Sequence, residues 1–210
     1  MDVHKAEICG MHAGDGTLYR TNSGSVVWEL RGGIDETDYY HNYVCPLVKT
    51  VFGIEVVPKR RSGGGTGSFG IQLSKKEITQ FLMQFFPVGK KSAIVKIPPL
   101  ILNSSTEVKG AFLRGLFDTD GCIRFDKNHT EHKYYPKIEL STNSVQLKDD
   151  VRLVLQELGI GCHYWKSGTG YSLCVPGKKN LAKWMELVSW SNPKHLNKLV
   201  QANCLQRVVP

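Results

Sequence analysis

Apolar residues recur at helical spacing ahead of two Asp-Gly pairs placed half a chain length apart. In Ile8-Cys9-Gly10-Met11-His12-Ala13-Gly14-Asp15-Gly16 the spaced positions are Ile8, Met11 and His12. In Leu113-Arg114-Gly115-Leu116-Phe117-Asp118-Thr119-Asp120-Gly121 they are Leu113, Leu116 and Phe117. This predicts helices over 5–14 and 107–119, each stopped at its Asp-Gly turn. The period then drops to two. Strands are expected over 17–21 and 25–31, joined at Asn22-Ser23-Gly24, and over 122–126 and 134–141, joined by a longer polar loop. A helix from Asp35 to Phe52 follows, with Asp35, Glu36 and Asp38 in its first turn and Gly53 as its stop; its counterpart spans 144–158 and stops at Gly159. Each half then offers a second hairpin, 54–61 with 68–74 around the glycine-rich tip Ser62 to Gly67, and 162–166 with 171–175 around Ser167 to Gly170. Ser74 and Glu77 have capping-box spacing for the next helix. In the second half a helix over about 178–188 precedes a C-terminal one opened by Ser191-Asn192-Pro193.

Helix, hairpin, helix, hairpin, helix thus occurs twice, and a repeat of this kind reads as an internal duplication. The expected fold class is α/β (α+β): a duplicated αββαββα chain with two four-stranded antiparallel sheets, divided into residues 1–103 and 104–210. Counting by twos from Asp15 reaches Thr17 and Tyr19, and from Asp120 reaches Cys122, Arg124 and Asp126. Gln72, Lys137, Glu139 and Ser141 belong to polar sets on later strands, while Phe69, Ile71, Leu73, Ile138 and Leu140 form apolar ones. One polar and one oily face suits a half-buried antiparallel sheet. The polar faces share parity with the two aspartates.

The helices carry small residues four apart, Gly10 with Gly14 and Gly115 with Thr119. Such strips let two backbones come close. Packing the helices together would bring Asp15 and Asp120 side by side at the negative ends of two helix dipoles. That arrangement is unfavourable unless a divalent cation lies between them, and hard oxygen donors suit Mg²⁺.

These residues resemble the LAGLIDADG homing endonucleases in their single-chain, two-repeat form. The second copy departs from the nine-letter signature only at Arg114, Phe117 and Thr119; the first is looser but keeps both glycines and the eighth-place Asp. The resemblance implies a pseudo-two-fold saddle of sheets with helices on one face and duplex DNA on the other. It further implies a monomer that cleaves both strands of a long specific site. Asp15 and Asp120 would hold two or three Mg²⁺ ions, with Mn²⁺ or Ca²⁺ as substitutes and the carbonyls of Gly14 and Thr119 beside them. Where relatives often carry Gln or Lys after the second strand of each half, this chain has Arg31-Gly32-Gly33 and Thr142-Asn143. Asn143 could orient water there, and Lys91 and Lys194 are the candidates near the scissile phosphate. The expected DNA-contacting residues are Thr17, Tyr19, Arg20, Arg31, Lys59, Arg61, Gln72, Arg124, Lys137, Glu139, Ser141 and Lys166. The alternative is a non-cleaving nucleic-acid binder on the same scaffold, either an intron RNA maturase or a degenerate DNA-binding regulator.

Net charge of +8 over 210 residues favours a polyanionic partner. Hydrophobic content of 41% and charged content of 22% exclude a disordered chain. No apolar run is long enough to span a bilayer. Six cysteines without a CxxC pair read as reduced thiols, so an intracellular setting is expected, organellar if the source is a eukaryote. The absence of flanking splicing blocks favours an intron or a free-standing frame as the origin.

Overall fold

The computed structural model describes residues 1–61, 67–126 and 134–202. The hairpin-tip residues 62–66 and the polar loop 127–133 lie outside the described residues. The chain opens with α1 (Val3–Ala13), whose first turn is capped by Asp2 accepting from Lys5 N at 2.9 Å. Strands β1 (Gly16–Arg20) and β2 (Val26–Gly32) follow, and later β3 (Lys59–Arg61) and β4 (Ser68–Leu73), forming a sheet of order β1-β2-β4-β3. The second half repeats this with β5 (Gly121–Asp126), β6 (Tyr135–Thr142), β7 (His163–Ser167) and β8 (Gly170–Pro176), in the order β5-β6-β8-β7. All pairings are antiparallel. The α+β duplication expected from the sequence is present.

Three predicted elements change in detail. The helix expected from Asp35 to Phe52 is divided into a 3-10 turn (Ile34–Glu36), α2 (Thr37–Tyr39), a π-helical turn (Tyr40–Val44) and α3 (Cys45–Phe52). Pro46 explains the wide turn, because its ring would crowd the carbonyl of residue 42 and it donates no hydrogen bond. The strand expected over 54–61 shrinks to Lys59–Arg61, since Pro58 cannot donate to the ladder. The capping box at Ser74 does not form. The helix α4 (Lys76–Met83) takes Lys75 as its N-cap, without a side-chain cap bond. The other predicted stops hold, with Gly53 and Gly159 left-handed at φ +67° and +66°.

The remaining helices are α5 (Pro99–Leu102), a short turn not foreseen, α6 (Thr106–Thr119), α7 (Val145–Glu157), α8 (Lys178–Leu187) and α9 (Pro193–Gln201). Leu18, Trp28, Leu30, Ile71 and Leu73 on the first sheet, and Ile123, Ile138, Leu140, Leu173 and Val175 on the second, are buried on the helix side. One continuous core runs beneath both sheets and through the α1–α6 pair.

Two straps tie the halves. From the first half, Val95 O accepts from Ser144 Oγ at 2.6 Å, and Ile97 N donates to Asp150 Oδ2 at 3.0 Å. From the second, Asn192 Nδ2 and Lys194 Nζ donate to Glu36 Oε1 at 2.6 and 2.8 Å. No helix among the described residues is long and apolar enough to cross a membrane. The cysteines among them are all free.

Candidate active site

The site is made by the close approach of α1 and α6. A Cβ on Gly10 would lie 2.1 Å from Phe112 O, and one on Gly115 would lie 2.1 Å from Glu7 O. The third-place glycines of the two copies therefore occupy equivalent positions, each against the other helix's backbone. Below them a Cβ on Gly14 would meet Thr119 Oγ1 at 2.1 Å and Asp120 Cγ at 3.4 Å. This proximity brings the ends of the two helices together, as the small-residue strips imply.

Asp15 follows α1 and Asp120 caps α6, and their carboxyls are close enough for each to shift the other's ionisation. Enclosure by protein, repulsion from Asp120 and repulsion from Glu36 push Asp15 up to about 7. Asp120 is raised by the same enclosure, against the pull of Lys91, its bond to Asp15 and Lys194. Two carboxyls sharing one site cannot both ionise freely, so each holds its proton to a higher pH than an isolated aspartate. Asp120 stays open to solvent, giving the pair an exposed edge.

Both candidate lysines arrive here by different bonds. Lys91 Nζ donates to Ala13 O at 2.8 Å and Gly14 O at 2.6 Å, at the carbonyl end of α1. Burial lowers its pKa, while attraction to Asp120 and Asp15 raises it. Lys194 Nζ instead lies on Glu36 Oε1. The Gly14 carbonyl, expected beside a cation, is thus engaged by an ammonium. Thr119 Oγ1 is turned back onto its own helix, donating to Gly115 O and Leu116 O at 3.1 and 2.9 Å. Asn143 lies three positions beyond Leu140, the partner of Gly121, and faces the Ser167–Gly170 turn. It lines a shallow hollow there with Ser141, Ser167 and Ser172. No bond between Asn143 and either aspartate was found among the described residues.

Sheet register settles which candidate contacts share a face. Thr17 pairs with Glu29 and Glu29 with Gln72; Arg31 pairs with Gly70 and Gly70 with Lys59. Tyr19 and Arg61 join this polar side, where Gln72 Nε2 donates to Tyr19 Oη at 2.6 Å and Arg61 bonds Gln72 and Glu29. Arg31 is also paired with Glu29. On the second sheet Arg124 meets Glu139 at 2.6 Å, Lys137 pairs with Asp126, and Ser141 faces Ser172 at 3.4 Å. Two expected contacts do not belong to these faces. Arg20 shares parity with Leu18, and Lys166 pairs with Tyr171 on the side of Leu173, because each is one position out of phase with the polar set. Both point to the helix side of their sheets.

Sequence reasoning missed three carboxylates that organise the site, Glu7, Glu29 and Glu36, and gave Glu139 no part in holding an arginine. Glu29 and Glu139 occupy equivalent central positions, opposite Thr17 and Cys122, and hold the arginines of their own sheets. Glu36, buried, accepts from Gly33 N, Asn192 and Lys194. Glu7, fully buried on α1, receives Arg114 at 2.8 and 3.0 Å and Tyr43 Oη at 2.7 Å. Arg114, a departure from the signature, thereby pins α6 to α1. The cue available for Glu7 was its place within an otherwise apolar helical run.

A duplicated α+β chain with paired carboxylates between two tightly packed helix ends is the class these features define. Residues 107–188 match the family model of the LAGLIDADG-like domain. The chain is similar to the homing endonuclease I-WcaI bound to its DNA recognition sequence, with a TM-score of 0.67 and 14% identity over 94% of this chain and 85% of that one. It is also similar to I-DmoI in complex with DNA and Mn, with a TM-score of 0.62 and 15% identity over 89% and 96%. Residues 107–188, less than half of the chain, thus resemble the LAGLIDADG-like domain, and the chain as a whole has the two-repeat fold of these solved structures. Curated relatives include the replicative DNA helicase DnaB of Rhodothermus marinus, 28% identical over 69% of this chain and 16% of that protein. Another is the tRNA-splicing ligase RtcB of Pyrococcus abyssi, 27% identical over 88% and 22%. The chain spans at most about a fifth of these two relatives, so their whole-protein activities do not describe it.

Proposed function

We propose that this chain is a DNA endonuclease that binds a long duplex site across its two polar sheet faces and hydrolyses one phosphodiester in each strand with a divalent metal. The observation that carries this reading is the Asp15–Asp120 pair, open at one edge, at the joined ends of α1 and α6. Two carboxylates with nearby backbone carbonyls form a hard, oxygen-only donor set. Among the described residues there is no cluster of three or more acidic, His or Cys side chains that could hold an ion. The two carboxylates suit Mg²⁺, which is usually held by one or two carboxylates together with waters and substrate phosphate. When bound, such an ion lowers the pKa of a water and stabilises charge on the attacking and leaving oxygens.

The chain's own groups then have distinct tasks. Asp15 and Asp120 hold the cation and take up the charge it brings. Lys91 and Lys194, each close enough to interact with the pair, would balance the phosphate charge that develops in cleavage. On the sheets, Lys59, Arg61, Arg31, Arg124 and Lys137 supply cationic donors for phosphates and for guanine edges, and Gln72 and Ser141 supply neutral ones. Glu29 and Glu139 hold those arginines in place before DNA arrives. The similar proteins solved with DNA and with Mn support the reading by fold.

The test is incubation with a randomised duplex library, first with Mg²⁺ and then with EDTA. Selective double-strand cuts that vanish with EDTA are expected. Retention of particular sequences without cuts would instead identify a non-cleaving binder.

A further inference from the structure

The duplication leaves Glu36 without a charged counterpart. Strands β2 and β6 end at Gly32 and Thr142, and the residue four beyond is Glu36 in the first half but Gln146 in the second. Gln146 donates to Asp150 Oδ1 of its own helix at 2.8 Å, and it is Asp150 that receives Ile97 N of the first half. Glu36 Oε2 is fixed by Gly33 N at 2.6 Å, and its Oε1 reaches across to Asn192 and Lys194. At 7% exposure it is too enclosed to touch a substrate itself.

The two lysines at the carboxylate pair are therefore unequal. Lys91 rests on two neutral carbonyls, whereas Lys194 rests on a full negative charge that is itself locked by a backbone N–H and an amide. A charge-assisted bond to a fixed carboxylate holds an ammonium in one place more strongly than carbonyl dipoles do. We propose that Glu36 is a positioning residue: it anchors Lys194 beside the aspartates and makes the two halves of the site cut their DNA strands at different rates. This rests on the nuclease reading. It adds that the asymmetry originates in one side chain that only the first repeat carries.

The experiment is strand-resolved nicking of a cleavable duplex by the 210-residue chain, with each strand labelled separately, for wild type, E36Q, K194M and the double variant. Gln keeps the acceptor for Asn192 but removes the charge. E36Q is expected to slow one strand roughly tenfold and to accumulate the nicked intermediate, with the other strand changed less than about twofold. K194M should slow the same strand, and adding E36Q to it should change the rate less than about twofold, because both act through one interaction. In the metal-free protein, acetylation of the Lys194 amine followed by mass spectrometry should be several-fold faster in E36Q than in wild type.

Equal slowing of both strands, or multiplicative effects in the double variant, overturns the inference. Should E36Q fail to fold, K194M alone decides: its side chain is partly exposed, and it must slow a single strand. If wild type cuts no duplex with any divalent cation, the nuclease reading fails and the strand asymmetry falls with it. Cutting with unchanged strand ratios in E36Q overturns only the inference.

Discussion

Placing a methyl group on Gly10 tests whether the helix pair is as close as the structure requires. The new Cβ would lie 2.1 Å from Phe112 O and 2.9 Å from Leu116 N, both backbone atoms that cannot rotate aside. Ordinary contact begins near 3.4 Å, so α1 and α6 would have to part by about 1 Å along most of their interface. Overpacking of this kind destabilises by roughly 1–3 kcal/mol, and a backbone obstacle places G10A at the upper end. For a chain of this length that is a fall of about 5–10 °C in Tm. G115A meets the mirror obstacle, Glu7 O at 2.1 Å, and should behave alike. Because one parting of the helices relieves both clashes, the double variant should destabilise by clearly less than the sum of the singles. Urea denaturation of the three variants measures this. Additive effects, or a single variant within about 0.5 kcal/mol of wild type, would refute the close packing on which the aspartate pair depends.

D120N should abolish cleavage while leaving affinity for the target duplex within a few-fold, measured by gel shift in Ca²⁺; continued double-strand breaks would remove Asp120 from the site. R114A strips Glu7 of its cation and leaves a fully buried carboxylate bonded mainly to Tyr43, so a loss of about 3 kcal/mol is expected by denaturation. Asp15 and Asp118 are both raised to about 7, chiefly by burial, from an unfolded value near 3.8. The stability they contribute is fully present below 3.8 and is lost as pH climbs toward 7. Binding a divalent cation needs the pair deprotonated, so the Tm gain from Mg²⁺ should be small below about pH 5 and large above about pH 8. An equal gain at both would contradict the raised carboxyls.

The frame of the fold was legible because it is written in local periods. Apolar spacing at Ile8 and Met11, then at Leu113 and Leu116, located both central helices, and strand parity from the aspartates found most of the polar face. Arg20 and Lys166 fall out of phase with the polar face because exposure at a hairpin end says nothing about phase; only the register with Val26 and Tyr171 does. The carboxylates Glu7, Glu29 and Glu36 were hidden for another reason. Each is defined by partners far away in sequence, Arg114, Arg61 and Lys194, and no window of neighbouring residues contains that information. The broken helix at Tyr40–Val44 was readable in principle, since Pro46 stands in the sequence with a known steric effect.

The reciprocal straps have a consequence for the making of such a chain. Residues 95–97 lean on Ser144 and Asp150, while Asn192 and Lys194 lean on Glu36, so each repeat finishes its fold on its twin. Severed between the repeats, either fragment would carry a bare glycine groove and a strap with nothing to fasten to. What completes each repeat is thus supplied by the other, so the two halves must be made and folded together.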